Sequence, residues 1–123
     1  QQARSAAVFP VLAPAGLSDD WHVASATWRR EGDGATLRLG YVAPDDDSAL
    51  LVQSSVPPEK LLPIELGKNA EPRGIFRDGE RAWRAYDARP GETGLVLTEQ
   101  GRTVVVVGTT DEENLPKLAD SLR

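Results

Sequence analysis

The chain has no cysteine and only one histidine, His22, among its 123 residues. The lack of cysteine excludes disulfide bonds, thiol nucleophiles and thiolate metal sites. A Ser-His-Asp triad would have to use His22, which lies at the start of a strand-like run, and no Gly-x-Ser-x-Gly motif accompanies it. A lone histidine in this position is typical of a surface or packing residue. We therefore assign no catalytic residue and expect the protein not to be an enzyme.

Long apolar runs and basic clusters are absent as well. No segment approaches the roughly 20 apolar residues of a membrane-spanning helix, and no secretory signal sequence is present. Nineteen acidic residues against fourteen basic ones give a formal net charge of −5. This charge opposes binding to nucleic-acid phosphates and to anionic membrane surfaces, so we expect neither as a partner.

Acidic residues and glycines are not spaced as metal or phosphate sites require. Residues 45–47 are three adjacent aspartates, whereas a calcium loop places its acids at alternate positions. The two adjacent aspartates at 19–20 do not match that spacing either. We predict that residues 45–47 form a solvated turn. Gly32 and Gly34 lie between two strand-like runs, not before a helix as in a phosphate-binding loop. We therefore predict no metal and no cofactor.

The length of the chain fits a single domain with one hydrophobic core. Residues 1–16 contain Pro10 and Pro14, which disfavour a helix and predict an extended arm. Residues 17–123 are predicted to form one α+β domain. We expect a twisted, mainly antiparallel sheet of about six or seven strands, with a C-terminal helix on one face and a short helix between the third and fourth strands.

Alternating apolar residues and turn signals predict the strands. In residues 36–42 this alternation places Leu37, Leu39 and Tyr41 on one face of a strand and Arg38 and Gly40 on the other. The Asp-Gly pair at 78–79 predicts a type I′ hairpin turn. Four consecutive valines at 104–107 predict a central strand that is buried on both faces. The predicted strands and hairpins cover residues 21–28, 36–42, 49–54, 75–86 and 94–108, the last with its turn at 100–101.

Two short helices are predicted. Residues 55–62 form one or two turns that close near Gly67, with Ser55 as a possible cap and Pro63 as an interruption. The C-terminal helix has an apolar face formed by Leu115, Leu118, Ala119 and Leu122. It begins either with a capping box of Thr110 and Glu113 or with Asn114 as cap, and Pro116 in the first turn favours the later start.

The aromatic residues and two arginines are the remaining candidates for binding. Aromatic side chains of this kind line a ligand pocket or fill the core, and in so small a domain we favour the core. Arg81 and Arg84 lie on opposite faces of one strand, so they do not form a clamp, and we expect each to pair with a nearby carboxylate. The aromatic residues considered for binding are the tryptophans and tyrosines, Trp21, Trp28, Tyr41, Trp83 and Tyr86.

Motifs spread along almost the whole chain resemble one known family. The motifs are Phe9-Pro10-Val11-Leu12-x-Pro14-x-Gly16-Leu17, Trp21, Leu39-Gly40-Tyr41-Val42-x-Pro44, Gln53-Ser54, Trp83, Val105-Val106-Val107-Gly108-Thr109 and Leu118-Ala119-x-Ser121-Leu122. In this order they are similar to the DUF4245 family of actinobacteria. The resemblance implies an uncharacterised extracytoplasmic domain that follows one membrane-spanning helix, and it implies no catalytic residues. Pro57, Pro58 and Pro63 depart from the regular first helix expected of the family.

Taken together, these features predict a non-enzymatic extracytoplasmic module of the cell envelope that binds a protein or an envelope component. The alternatives are a small-ligand carrier or enzyme accessory domain with a pocket between helix and sheet, and a structural spacer. An internal apolar cavity would favour the carrier, whereas a flat exposed aromatic patch would favour partner binding. The chain begins at Gln1 without methionine, its first residues are polar, and the family resemblance implies a membrane anchor. We therefore expect an upstream transmembrane helix that holds the domain at the extracytoplasmic face of the membrane.

Overall fold

Turns rich in glycine, proline and aspartate divide the chain into short strands and two short helices. The computed structural model describes residues 12–31, 34–79, 81–110 and 113–123, with the side chain of residue 31 left aside. The elements in this part of the chain are β1 (His22–Glu31), β2 (Gly34–Val42), β3 (Ser48–Ser54), α1 (Pro58–Glu65), β4 (Glu71–Asp78), β5 (Arg81–Asp87), β6 (Thr93–Glu99), β7 (Arg102–Gly108) and α2 (Asn114–Ser121). The α+β prediction is confirmed. Neither helix of this part is long and apolar enough to cross a membrane.

The seven strands form one antiparallel sheet in the order β1-β2-β3-β7-β6-β5-β4. The sheet consists of two meanders, β1 to β3 and β4 to β7, and α1 connects the first meander to the second. The last strands of the two meanders, β3 and β7, pair with each other at the centre of the sheet. As a result β1 and β4, the first strands of the two meanders, lie at the edges.

The four valines of β7 are buried on both faces of the sheet, as predicted. Val104 and Val106 point to the face covered by α2, which we call the α2 face, and pack with Leu118. Val105 and Val107 point to the opposite face, the α1 face, and belong to a second apolar cluster with residues of α1. The two-sided burial follows from the central position of β7 between two helices.

The hairpin of β4 and β5 is confirmed, but its turn lies one residue later than predicted. Asp78 pairs with Arg81, so the two connecting positions are 79 and 80, of which Gly79 has φ 57° and residue 80 lies outside the described residues. Asp78 remains in the strand because its buried carboxylate binds the Arg81 guanidinium and accepts a hydrogen bond from Trp83 Nε1 at 3.4 Å.

The apolar face of α2 is also confirmed. The four residues of this face are exposed to at most 1 % and pack on the α2 face of the sheet, and they are Leu115, Leu118, Ala119 and Leu122. The later helix start is confirmed because Asn114 is the first helical residue and Pro116 lies in the first turn. Both capping expectations are wrong: Glu113 precedes the helix, and the Thr110 hydroxyl accepts a hydrogen bond from Asn114 Nδ2 at 2.9 Å.

Helix α1 has the two turns that the sequence predicted and ends next to Gly67. Pro58 occupies its first turn, where a missing N–H costs nothing. Pro63 lies inside the helix, which continues past it to Glu65. The capping role proposed for Ser55 is wrong because its hydroxyl accepts a hydrogen bond from the N–H of Ala35 at 2.9 Å instead.

The end of the predicted arm lies against the C-terminus of the chain. The side chain of the fully buried Gln53 donates to the carbonyl of Leu12 at 2.8 Å and accepts from its N–H at 2.7 Å. Ala13 and Arg123 exchange two backbone hydrogen bonds, and Pro14 forms a β-bridge with Leu122. The extended conformation is therefore held by backbone pairing. The part of the arm at 1–11 lies outside the described residues.

Candidate functional site

Two of the open grooves formed by the described residues lie on opposite sides of the sheet. The first, which we call the α2 cleft, has a volume of about 340 Å³ and lies between residues 15–18, Trp21 and the outer face of α2. The second, the α1 groove, has a volume of about 390 Å³ and lies beside the C-terminal end of α1. Both grooves are open to solvent, so neither is the internal apolar cavity that a carrier would use.

Trp21 forms the aromatic wall of the α2 cleft. Its ring meets the ring of Tyr41 edge to face, with a centroid distance of 6.4 Å and an interplanar angle of 79°. Tyr41 is buried, and this burial raises the pKa of its phenol. The backbone N–H of Trp21 donates to the carbonyl of Ser18 at 3.2 Å and so closes the turn before β1. These contacts fix the position of the indole at the cleft.

Charged side chains of α2 form the opposite wall. Lys117 and Asp120 lie on the exposed side of the helix, Arg123 follows its C-terminal end, and all three line the cleft. The Arg123 guanidinium donates to the carbonyl oxygens of Asp120 and Leu122 at 2.6 and 2.9 Å. The two cations outnumber the one carboxylate, and the cleft therefore favours a ligand that carries negative charge.

Asp120 is coupled to a second carboxylate behind the cleft wall. Burial acts to raise the pKa of Asp78, but the hydrogen bond with Asp120, the charge of Arg81 and the hydrogen bond from Trp83 outweigh it and leave that pKa lowered. The hydrogen bond to Asp78 and the negative charge of Asp78 raise the pKa of Asp120. When the two carboxyls share one proton, that proton therefore resides on Asp120, which acts as the donor.

Only one member of the carboxyl pair, Asp120, lines the cleft. Two carboxylates with pKa values pushed apart are a recognised sign of acid-base catalysis. Here, however, only 7 % of the Asp78 side chain is exposed, and its oxygens are engaged by Arg81 and Trp83. Asp78 is not among the residues that line the cleft. The pair therefore serves to connect the β4–β5 hairpin to α2.

The charged residues of the α1 groove have structural roles. Glu65, which is only 5 % exposed, forms an ion pair with Arg38 of β2. Arg89 donates to the carbonyl oxygens of Ile64 and Glu65 at 2.7 and 3.0 Å, and so satisfies acceptors at the C-terminus of α1. These side chains position α1 on the sheet. The α2 cleft, whose Lys117 and Asp120 face solvent, is the better candidate for a binding site.

Most of the five tryptophan and tyrosine side chains agree with the prediction that they belong to the core. Trp83 is fully buried and Tyr41 nearly so, whereas Trp28 and Tyr86 are partly buried. Trp21 alone among these five lines the α2 cleft, and it is also partly buried. The flat exposed aromatic patch that would have favoured partner binding is therefore not formed by these five residues.

The predicted aspartate turn is exposed to solvent and has a role that the sequence did not reveal. The Thr110 hydroxyl donates to both carboxylate oxygens of Asp45 at 2.8 and 2.9 Å, which ties the β2–β3 turn to the connection before α2. Asp46 adopts φ 68°, and Asp47 donates its N–H to Asp45 at 3.1 Å. Within the described residues, no group of three or more His, Cys, Asp or Glu side chains is arranged to hold a metal.

His22 and the two candidate arginines have different surroundings. His22 is exposed at the start of β1 and lines neither groove. Arg81 pairs with Asp78 as expected and also donates to the carbonyl of Ala119 at 3.2 Å. Arg84 lies on the opposite face and is exposed, and it has no carboxylate partner in the described part of the chain.

Sequence reasoning missed the α2 cleft because its walls are far apart in the chain. Trp21 precedes β1, whereas Lys117 and Asp120 belong to the last helix. The available signal was the spacing of Lys117 and Asp120, which places both on the side of α2 opposite Leu115 and Leu118. Nothing in the sequence indicated that the turn before β1 would face that side.

The chain belongs to the DUF4245 family, described as a protein of unknown function, and the family model matches residues 1–122. The family resemblance inferred from the motifs is confirmed. No curated protein is a significant match to the chain. Because the family has no assigned activity, a function for this chain has to be argued from the geometry of its clefts.

Proposed function

We propose that the protein is a non-catalytic binding module of the cell envelope whose α2 cleft holds an acidic sugar unit of an envelope component. The observation that carries this proposal is the convergence of one indole ring, one ammonium group and one carboxyl group on a single open cleft. These groups belong to Trp21, Lys117 and Asp120.

An aromatic ring beside hydrogen-bonding groups suits a ligand that has both an apolar ring face and polar edges. The Trp21 ring, held edge to face against Tyr41, offers such a surface without having to move. A pyranose ring matches this surface because its C–H groups gather on one face while its hydroxyls point outward. The hydroxyls of the sugar would bond the carboxyl of Asp120.

The charges of the cleft favour an acidic sugar over a neutral one. Lys117 is exposed on α2 and lines the cleft, so its ammonium can pair with a carboxylate there. The hydrogen bond with Asp78 and the negative charge of Asp78 raise the pKa of Asp120, so its protonated form persists to higher pH than that of a free aspartate. A uronic acid meets these requirements because it carries one carboxylate on a sugar ring.

The open form of the cleft favours docking on a larger molecule over enclosed transport. A carrier buries most of the surface of its ligand. In the α2 cleft a single sugar keeps one side in solvent, and a polymer can therefore continue past it. This geometry supports an envelope component as the partner, while the small-ligand carrier stays the alternative.

The extracytoplasmic location is part of the proposal and rests on the family resemblance. In the full-length protein we expect an upstream run of about 20 apolar residues flanked by basic residues on its cytoplasmic side. Protease added to wall-stripped cells should then cut this domain together with known surface proteins. Protection of the domain in those cells would contradict the location and leave the chemistry of the cleft unaffected.

Binding is tested by titration of isotope-labelled protein with glucuronate, galacturonate and muramic acid, followed by amide chemical shifts. We expect saturable shifts at residues 16–21 and along α2, with a dissociation constant on the order of 1–10 mM, as is usual for one small ligand in an open cleft. Glucose serves as the neutral control and should bind more weakly than glucuronate. If none of the three acidic sugars gives saturable shifts at the cleft, the proposed function is wrong.

Substitutions separate the roles of the two walls. Trp21→Ala should abolish the saturable shifts, because the ring face is lost. Lys117→Ala should remove the preference for glucuronate over glucose. Lys60→Ala, which removes an exposed lysine from α1 on the other face of the sheet, is the matched control and should change neither property.

A further inference from the structure

The edge strand β4 presents an exposed surface on the α1 face that is unrelated to the α2 cleft. Ile75 is 61 % exposed and pairs across the ladder with Arg84 of β5, and Arg77 follows on the same face of β4. Arg77 and Arg84 are both exposed. We call the three residues Ile75, Arg77 and Arg84 the β4 edge surface.

The strand register shows which backbone groups of β4 point outward. In an antiparallel hairpin with a two-residue connection, the closing pair is hydrogen-bonded, and bonded and non-bonded pairs then alternate. Asp78 and Arg81 are the closing pair of the β4–β5 hairpin. Counting back from them, Arg77 and Ile75 stand in non-bonded pairs. Their N–H and C=O groups therefore point away from β5, toward the open edge.

The β6–β7 hairpin leads independently to the same result. Its closing pair is Glu99 and Arg102, and alternation from there turns the N–H and C=O of Val96 toward β5. Val96 pairs with Arg84, so Arg84 directs its own backbone groups to β6 and away from β4. The pair of Arg84 with Ile75 is therefore non-bonded, and the backbone groups of Ile75 point outward.

The side chains of this surface carry unpaired positive charge. Within the described residues, neither Arg77 nor Arg84 has an ion pair or side-chain hydrogen bond. By contrast, Arg38, Arg81 and Arg89 all have carboxylate partners. The two free guanidinium groups flank the exposed Ile75 and would pair with acidic side chains.

A second copy of the chain fits this surface poorly. Edge-to-edge pairing of two β4 strands would gather four guanidinium groups on one face, and like charges across adjacent strands are destabilising. An acidic strand, by contrast, can use the outward N–H and C=O groups of Ile75 and Arg77 for hydrogen bonds and place carboxylates beside both arginines.

We propose that β4 is a docking edge for an extended acidic segment of a partner protein, which adds to the sheet as an eighth strand next to Ile75 and Arg77. An apolar side chain of the segment packs on Ile75, and carboxylates at neighbouring positions on the same face pair with Arg77 and Arg84. This site is independent of the sugar site proposed for the α2 cleft, so either proposal can fail without the other.

The probe is a short capped peptide of alternating valine and glutamate, added to isotope-labelled full chain. We expect saturable amide shifts confined to β4 and β5. A peptide of alternating valine and lysine, and the valine-glutamate peptide with alternate peptide nitrogens methylated, should not bind, because the first lacks the charges and the second lacks the backbone donors.

Charge reversal tests the arginines. Arg77→Glu with Arg84→Glu should raise the dissociation constant about tenfold or more. The control Arg29→Glu with Arg30→Glu reverses two exposed arginines on β1, the opposite edge strand, and should change it less than about threefold. If the double reversal unfolds the protein, as circular dichroism would show, the neutral pair Arg77→Gln with Arg84→Gln replaces it and should also weaken binding.

The proposal is wrong if the valine-glutamate peptide shows no saturable binding, if the valine-lysine peptide binds equally well, if the shifts lie at β1, or if the two arginine pairs have equal effects. Concentration-dependent dimerisation that the Arg77 and Arg84 variants abolish would overturn it in favour of self-association. Sugar binding at the α2 cleft should be unchanged in every one of these variants.

Discussion

Trp83 offers the most direct test of the packing described above. It is fully buried among the apolar residues of the α2 face, and its Nε1 donates to Asp78 at 3.4 Å. The guanidinium carbon of Arg81 lies 5.9 Å from the centre of its ring. The substitution Trp83→Ala therefore removes a large core side chain, a hydrogen bond to a buried carboxylate and a cation–π contact in one step.

The expected cost of Trp83→Ala is about 3–5 kcal/mol, which is the usual range when a buried aromatic residue is truncated to alanine. The upper part of this range is expected because Asp78 also loses a donor, and an incompletely paired buried acceptor costs about 1–3 kcal/mol. With a urea m-value of about 1–3 kcal/mol per molar for a small domain, the midpoint should fall by more than about 1 M.

Urea unfolding followed by far-UV circular dichroism measures this change without relying on tryptophan fluorescence, to which Trp21 and Trp28 also contribute. Trp83→Phe is the matched control, since it keeps most of the ring and loses the N–H. Trp83→Phe should lower the free energy of unfolding less than Trp83→Ala does, because it loses the hydrogen bond but keeps a ring in the core. An unchanged midpoint in Trp83→Ala would refute the burial of this residue.

Three further predictions concern polar groups. The raised pKa of Asp120 means that protonated Asp120 contributes to the stability of the fold. This contribution is complete below the pKa of an unfolded aspartate and is lost as pH rises through the pKa in the folded state. Asp120→Asn keeps a donor to Asp78 at every pH, so in pH-dependent thermal melts it should gain stability relative to wild type as pH rises. Gln53→Leu should cost about 1–3 kcal/mol in urea unfolding and increase cleavage of the arm in limited proteolysis, since partly buried backbone groups of the arm lose their partner. Calorimetry should detect no saturable calcium binding below about 1 mM in wild type; such binding, lost in Asp45→Asn with Asp47→Asn, would contradict the solvated turn.

Most of the strands could be predicted because their signals are local. Turn residues such as Gly101, which has φ 77°, mark the ends of hairpins, and alternation assigns each side chain to a face. The valine run in β7 indicated burial on both faces and hence a central position. The one-residue error at the β4–β5 turn arose because Asp78 has a tertiary partner, and this outweighs the preference of Asp-Gly for the two turn positions.

The order of the strands and the α2 cleft depend on contacts between distant residues. Nothing local specifies that β3 should pair with β7 and leave β1 and β4 at the edges. The hydrogen bond between Thr110 and Asp45 joins residues 65 positions apart, and Gln53 bonds Leu12 across 41 positions. In the sequence each of these residues reads as an ordinary turn or strand residue, because its partner is identified only once the sheet has formed.

Asp78 connects the most buried part of the fold to its candidate binding site. On one side it accepts a hydrogen bond from Trp83 in the core, and on the other it shares a hydrogen bond with Asp120 at the wall of the α2 cleft. The position of Asp78 is fixed by its pairing with Arg81 at the end of the hairpin. Because the pKa of Asp120 is raised chiefly by Asp78, a residue that does not line the cleft influences the titration of one that does. A substitution in the β4–β5 hairpin that displaces Asp78 therefore alters the cleft even when Trp21 and Lys117 stay in place.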